Sequence, residues 1–107
     1  MTAPIMEKHI HKLVMDAWKR TGLPNTLVAT IPNMRAAGQY GLTKGLPDLL
    51  VIGPHGAGFI ELKTAKGKVS SHQEAFMAVA WHNGVAAVVT HGPDQPLAIL
   101  REWGVIR

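Results

Sequence analysis

Three residues could do chemistry together: Asp48, Glu61 and Lys63. Asp48 opens an apolar run, Leu49 to Ile52, and Glu61 and Lys63 close another that begins at Phe59. Alternate side chains of a strand leave on the same face, so Glu61 and Lys63 point the same way. Neither an acid nor a lysine belongs inside a short apolar strand for packing reasons. Each must be solvated, paired or bound to a metal. Between the two runs, Gly53 to Gly58 reads as a six-residue, glycine-rich turn. A hairpin closed by it brings the start of the first strand beside the end of the second, and Asp48, Glu61 and Lys63 converge. Two carboxylates and an amine make a compact site for a hard divalent cation and a phosphate.

The flanking elements must hold that hairpin. Pro4 to Arg20 reads as an amphipathic helix, with Ile10, Leu13, Val14, Ala17 and Trp18 forming one apolar stripe. Pro4 suits the first turn, Lys19 and Arg20 the last, and Gly22 with Pro24 stops the helix. Glu7 lies one turn before Ile10, on or beside the stripe. Read from the residues alone, it favours the helix N-terminus. Thr26 to Ile31 is β-prone and ends at Pro32. Asn33 to Lys44 reads as a loop whose cations are Arg35 and Lys44. Asp48 to Ile52 is apolar after its first residue, as in a strand covered on both sides.

Thr64 to Val69 is a basic turn carrying Lys66 and Lys68, able to approach phosphates. Ser70 with Gln73, or Ser71 with Glu74, fits a capping box for a helix that carries Phe76, Met77, Ala80 and Trp81 and ends at Asn83 and Gly84. Val85 to Thr90 reads as a buried strand. Asp94 caps a final helix from Gln95 to about Trp103. The order α-β-β-β-α-β-α gives an α/β fold with a mixed central sheet flanked by helices.

With 107 residues and 47% apolar content, the chain is expected to form one domain over residues 1–107 with a real core. No apolar run approaches a membrane span, and no signal-peptide pattern opens the chain. The absence of cysteine excludes disulfides and thiolate metal sites and fits a cytoplasmic location. The net charge of +4 and pI of 9.8 suit an anionic partner such as nucleic acid. Among the six histidines, His9 and His11 are two apart on a helix and cannot chelate together. Neither a His-x-x-x-His pair nor a Gly-x-Ser-x-Gly elbow occurs.

The pattern Pro47, Asp48, a spacer, then Glu61, Leu62, Lys63 resembles the PD-(D/E)XK nuclease signature. The wider frame is Gly45-Leu46-Pro47-Asp48-Leu49, Glu61-Leu62-Lys63, Gly67-Lys68-Val69-Ser70, Gln73 and Gly84. It resembles the VRR-NUC branch, the virus-type replication-repair nucleases, over about Gly45 to Val89. This resemblance implies a restriction-endonuclease-like core and metal-dependent hydrolysis of DNA phosphodiesters. Asp48 and Glu61 would ligate Mg²⁺ or Mn²⁺, with the Leu62 backbone carbonyl completing the set. Lys63 would orient or deprotonate the attacking water, or offset phosphate charge. Glu7 and Gln73 would position that water or a second ion, although Gln73 has a purely capping role as its alternative. Lys44, Lys66, Lys68 and Arg35 would contact DNA.

Stand-alone members of the resembled group are small and phage-like. Family and size together suggest a homodimer acting on branched DNA, a Holliday junction or a flap, in a bacterial or phage-infected cell. A catalytically silent or partner-activated DNA-binding module of the same fold is the competing expectation.

Overall fold

A computed structural model of the protein describes residues 5–32 and 43–107. The elements follow the expected order: α1 (Glu7–Thr21), β1 (Leu27–Thr30), β2 (Leu49–Gly53), β3 (Gly56–Lys63), α2 (Ser71–His82), β4 (Ala86–His91) and α3 (Asp94–Glu102). The four strands lie in the order β1-β2-β3-β4. The first two pairings are antiparallel and β3–β4 is parallel, with α2 as the crossover. Pro4, Arg35 and most of the expected Asn33–Lys44 loop lie outside the described residues.

One face of the sheet carries the main core. Leu49, Val51, Ile60 and Leu62 alternate along β2 and β3 and are fully buried. They pack with Ile10 and Val14 of α1, Leu100 of α3 and the C-terminal Val105 and Ile106. Fully burying one such side chain contributes about 1.5–3 kcal/mol, so this face supplies most of the driving force. On the other face α2 sets Met77 and Ala80 over Ala87, and Phe76 meets Phe59 edge-on at 5.2 Å between centroids. Ser70 caps α2 as expected, in a capping box with Gln73.

Several details differ from the sequence reading. The β2–β3 turn is two residues, Pro54 and His55, with Gly53 paired to Gly56. Gly56 to Gly58 belong to the strand instead. The reason is tertiary: a Cβ on Gly58 would sit 2.8 Å from the Trp103 ring, which packs against that residue. β2 is only partly covered on its second face, where Leu50 is half-buried and Ile52 is 41% exposed. β4 is an edge strand with just Ala87 and Thr90 buried, not a wholly buried one.

The helices differ too. Leu13 and Trp81 point outward, and Trp81 turns its indole N–H to the Ala87 carbonyl at 2.8 Å. Asp94 is the first residue of α3 and makes no side-chain cap; Pro93 takes the cap position. The C-terminal segment is ordered by distant partners: Ile106 bridges Gly22, and Leu23 N–H donates to Val105 O.

Candidate active site

The hairpin register puts Leu49 opposite Ile60, so Asp48, just before β2, reaches the last residues of β3. One carboxylate oxygen of Asp48 accepts the Leu62 N–H at 2.7 Å. Gly45 makes this placement possible. Its φ is +86°, and a Cβ there would lie 2.3 Å from the His72 carbonyl oxygen. Glycine alone permits both the conformation and the approach, which lays the chain entering β2 against the first turn of α2. Pro47 is fully buried behind it.

Glu61 is the most constrained group. It is 1% exposed, on the face of β3 turned to α2. Its Oε1 accepts the Gln73 side-chain N–H at 2.8 Å, while Oε2 is buried without a hydrogen-bond partner. The Asp48 carboxyl is within hydrogen-bonding reach. Two ionised carboxylates can only accept, so their contact requires a shared proton or a cation between them. Burial is the largest cause that pushes the Glu61 carboxyl up, to about 9, followed by the charge and contact of Asp48; Lys63 opposes this. A buried, orphaned carboxylate oxygen beside a second carboxylate fits a hard divalent cation.

Gln73 caps α2 and also bonds Glu61. Its amide oxygen accepts the Ser70 N–H at 2.9 Å, its own N–H donates to Ser70 Oγ at 3.2 Å, and its amide nitrogen donates to Glu61. The cap fixes which end of the amide is oxygen, so the NH₂ must face Glu61.

Glu7 stands half-buried at the start of α1. Burial, then the Asp48 charge, raise its carboxyl above the usual range, while Lys63 and His11 act against this. It therefore feels the same cluster as well as occupying a first helical turn. Lys63 ends β3, half-buried, with its carbonyl accepting the Gly92 N–H at 2.9 Å. Lys44, Lys66 and Lys68 are exposed in the turns before β2 and after β3. Arg35 lies outside the described residues. The sequence reading passed over His11, one helical turn after Glu7, which shares a hydrogen bond of 2.9 Å with Thr30 Oγ1. Its i, i+4 spacing from Glu7 was the available signal.

Among the described residues no three His, Cys, Asp or Glu side chains form a ready metal cluster. The ligand set open to an ion is thus the Asp48 and Glu61 carboxylates with main-chain or water oxygens, and Mg²⁺ accepts such sparse protein ligation. Among the described residues no helix is long and apolar enough to cross a membrane.

Comparison with known proteins agrees with this fold. One solved structure, described as a VRR_NUC domain protein, superposes with a TM-score of 0.80 at 20% identity, covering 95% of this chain and 90% of that one. A second, described as a VRR_NUC domain, gives 0.67 at 23% identity, covering 91% and 96%. At these identities the likeness is one of fold. No curated protein matches. The family's domain is a nuclease-type fold that implies DNA as substrate, and the family generally uses divalent metals. The VRR-NUC domain model matches residues 5–94 of the 107, and the chain belongs to that family.

Proposed function

We propose that this protein is a Mg²⁺- or Mn²⁺-dependent DNA endonuclease selective for branched DNA, a Holliday junction or a flap. In this reading residues 1–107 form one nuclease domain that works as a homodimer in the cytoplasm. The observation that carries it is the buried, unpartnered Glu61 Oε2 against Asp48. A site that keeps two carboxylates in contact is unfavourable when empty, and its retention is explained by a cation that function requires.

Asp48 and Glu61 would hold the ion, with the Leu62 carbonyl as a further oxygen ligand. A bound divalent ion lowers the pKa of a coordinated water and offsets charge in the transition state. Asp48 is oriented for this by the Leu62 amide and Glu61 by the Gln73 amide. Lys63 presents an ammonium to the phosphate or orients the water. Glu7 would position the attacking water or a second ion. Lys44, Lys66, Lys68 and Arg35 neutralise phosphates on the DNA backbone, a term independent of sequence.

The test is cleavage of linear duplex, flap and four-way junction DNA with Mg²⁺, Mn²⁺ or EDTA, beside Glu61→Ala. Metal-dependent cutting of branched substrates that disappears in the variant is the expected result. No cutting by the wild type, with junction binding retained, would replace the enzyme by a silent or partner-activated DNA-binding module.

A further inference from the structure

We infer that His91 is a positioning residue for Lys63, an inference that rests on the role given to Lys63 above. Lys63 and His91 are direct partners in the parallel β3–β4 ladder. Ladder partners project to the same face, so the two side chains leave the sheet on the same side. Lys63 is the last residue of β3, where the chain leaves the sheet, and nothing in β3 itself fixes the path of the residues beyond it. The end of β4 supplies that constraint. Gly92 N–H donates to the Lys63 carbonyl at 2.9 Å, and His91 Nδ1 meets the Thr64 carbonyl at 3.1 Å.

A carbonyl only accepts, so Nδ1 carries the proton and the tautomer is set. The same Thr64 carbonyl accepts the Gly67 N–H at 3.0 Å. The end of β4 therefore holds both residues: Gly92 pins the Lys63 carbonyl, and His91 pins the next carbonyl, Thr64, at the first corner of the turn that carries Lys66. Its own backbone is held in turn, because His91 N–H donates to Gln95 Oε1 at 2.8 Å at the start of α3. The arrangement is a relay of main-chain pins from α3 through β4 to Lys63. Loss of the imidazole N–H leaves the Thr64 carbonyl with the Gly67 N–H alone and loosens the chain directly after Lys63, which shifts where the amine is presented. Misplacement of a reacting group by about 1 Å can cost as much as a hundredfold in rate.

Three variants separate positioning from packing. Asparagine places an amide N–H near Nδ1, whereas glutamine places one near Nε2 and alanine places none. We expect His91→Ala and His91→Gln to slow single-turnover cleavage of the junction by about tenfold or more, with DNA affinity in Ca²⁺ close to wild type. His91→Asn should restore the rate. A second readout does not need cleavage: the rate at which the Lys63 amine is acetylated, followed by mass spectrometry on the folded protein. It should change in His91→Ala and His91→Gln and return to the wild-type value in His91→Asn.

Equal Lys63 labelling in all four proteins would overturn the inference, as would an equal loss of rate in His91→Asn and His91→Gln. If the wild type cuts no DNA, the nuclease reading falls, while the labelling series still decides whether His91 positions Lys63.

Discussion

At the scale of single residues, the Glu61 carboxyl makes stability depend on pH in an unusual direction. Its folded pKa is raised to about 9, so the folded protein holds a proton that the unfolded chain releases near the ordinary carboxylate value. Between those limits the folded state binds more protons, and stability falls as pH rises, by at most about 1.4 kcal/mol per pH unit. Glu7 is shifted in the same direction and adds to the trend. In EDTA, thermal melts of the wild type from pH 5 to 9 should therefore show declining stability, and Glu61→Gln should flatten the decline while abolishing cleavage. Added Mg²⁺ should stabilise the wild type more at high pH, because the ion displaces that proton. A wild-type stability that rose over this range would refute the raised Glu61 carboxyl. Gln73 gives a second test. Ser70→Ala removes only the cap and should cost about 1 kcal/mol in urea unfolding with cleavage retained. Gln73→Ala also frees Glu61 Oε1 and should slow cleavage by about tenfold. Equal rates in the two variants would reduce Gln73 to a cap.

At the scale of elements, the site exists because a hairpin and a helix N-terminus meet, and Gly45 is the hinge of that meeting. Gly45→Ala faces both a strained backbone and a clash with the His72 carbonyl. The strain alone costs about 1–2 kcal/mol, and relieving the clash must move Asp48 away from Glu61. Gly56 is the matched control, since its φ is +105° but nothing lies within 4 Å of an added Cβ. Urea unfolding should show both alanine variants destabilised, with cleavage lost in Gly45→Ala and kept in Gly56→Ala. Loss of cleavage in both would mean that general stability, not this contact, governs the site. The hairpin, the capped helix and the meeting of Asp48 with the end of β3 were legible in sequence, because alternation and capping are local signals. The two-residue turn was not, since Gly58 is a strand residue by virtue of Trp103, some forty-five positions on. The dual bonding of Gln73 was legible only as two alternatives. Spacing gives the reach of a side chain, whereas the direction of each amide end depends on how α2 docks against β3.

At the scale of the whole molecule, size bears on which DNA can be cut. The chain measures 42 × 38 × 23 Å, so its long axes match about one turn of duplex, roughly 34–36 Å. One chain has one Asp48–Glu61 pair and can attack one phosphate at a time. The proposed symmetric incision of a four-way junction would need a second site related by a two-fold axis, which the proposed homodimer would supply. Light scattering should then give a mass near twice 11.6 kDa at concentrations where the junction is cut. Mixing wild type with excess Glu61→Ala should convert paired incisions into single nicks, because mixed dimers carry one competent site. The net charge of +4 is small for holding two DNA arms on one chain, and pairing the chains doubles it. Affinity for the junction should therefore fall more steeply with salt than affinity for a duplex, each added phosphate contact contributing about −0.9 to the slope of log K against log salt. A monomeric mass with paired incisions intact would refute the dimer and require one site to cut twice in sequence.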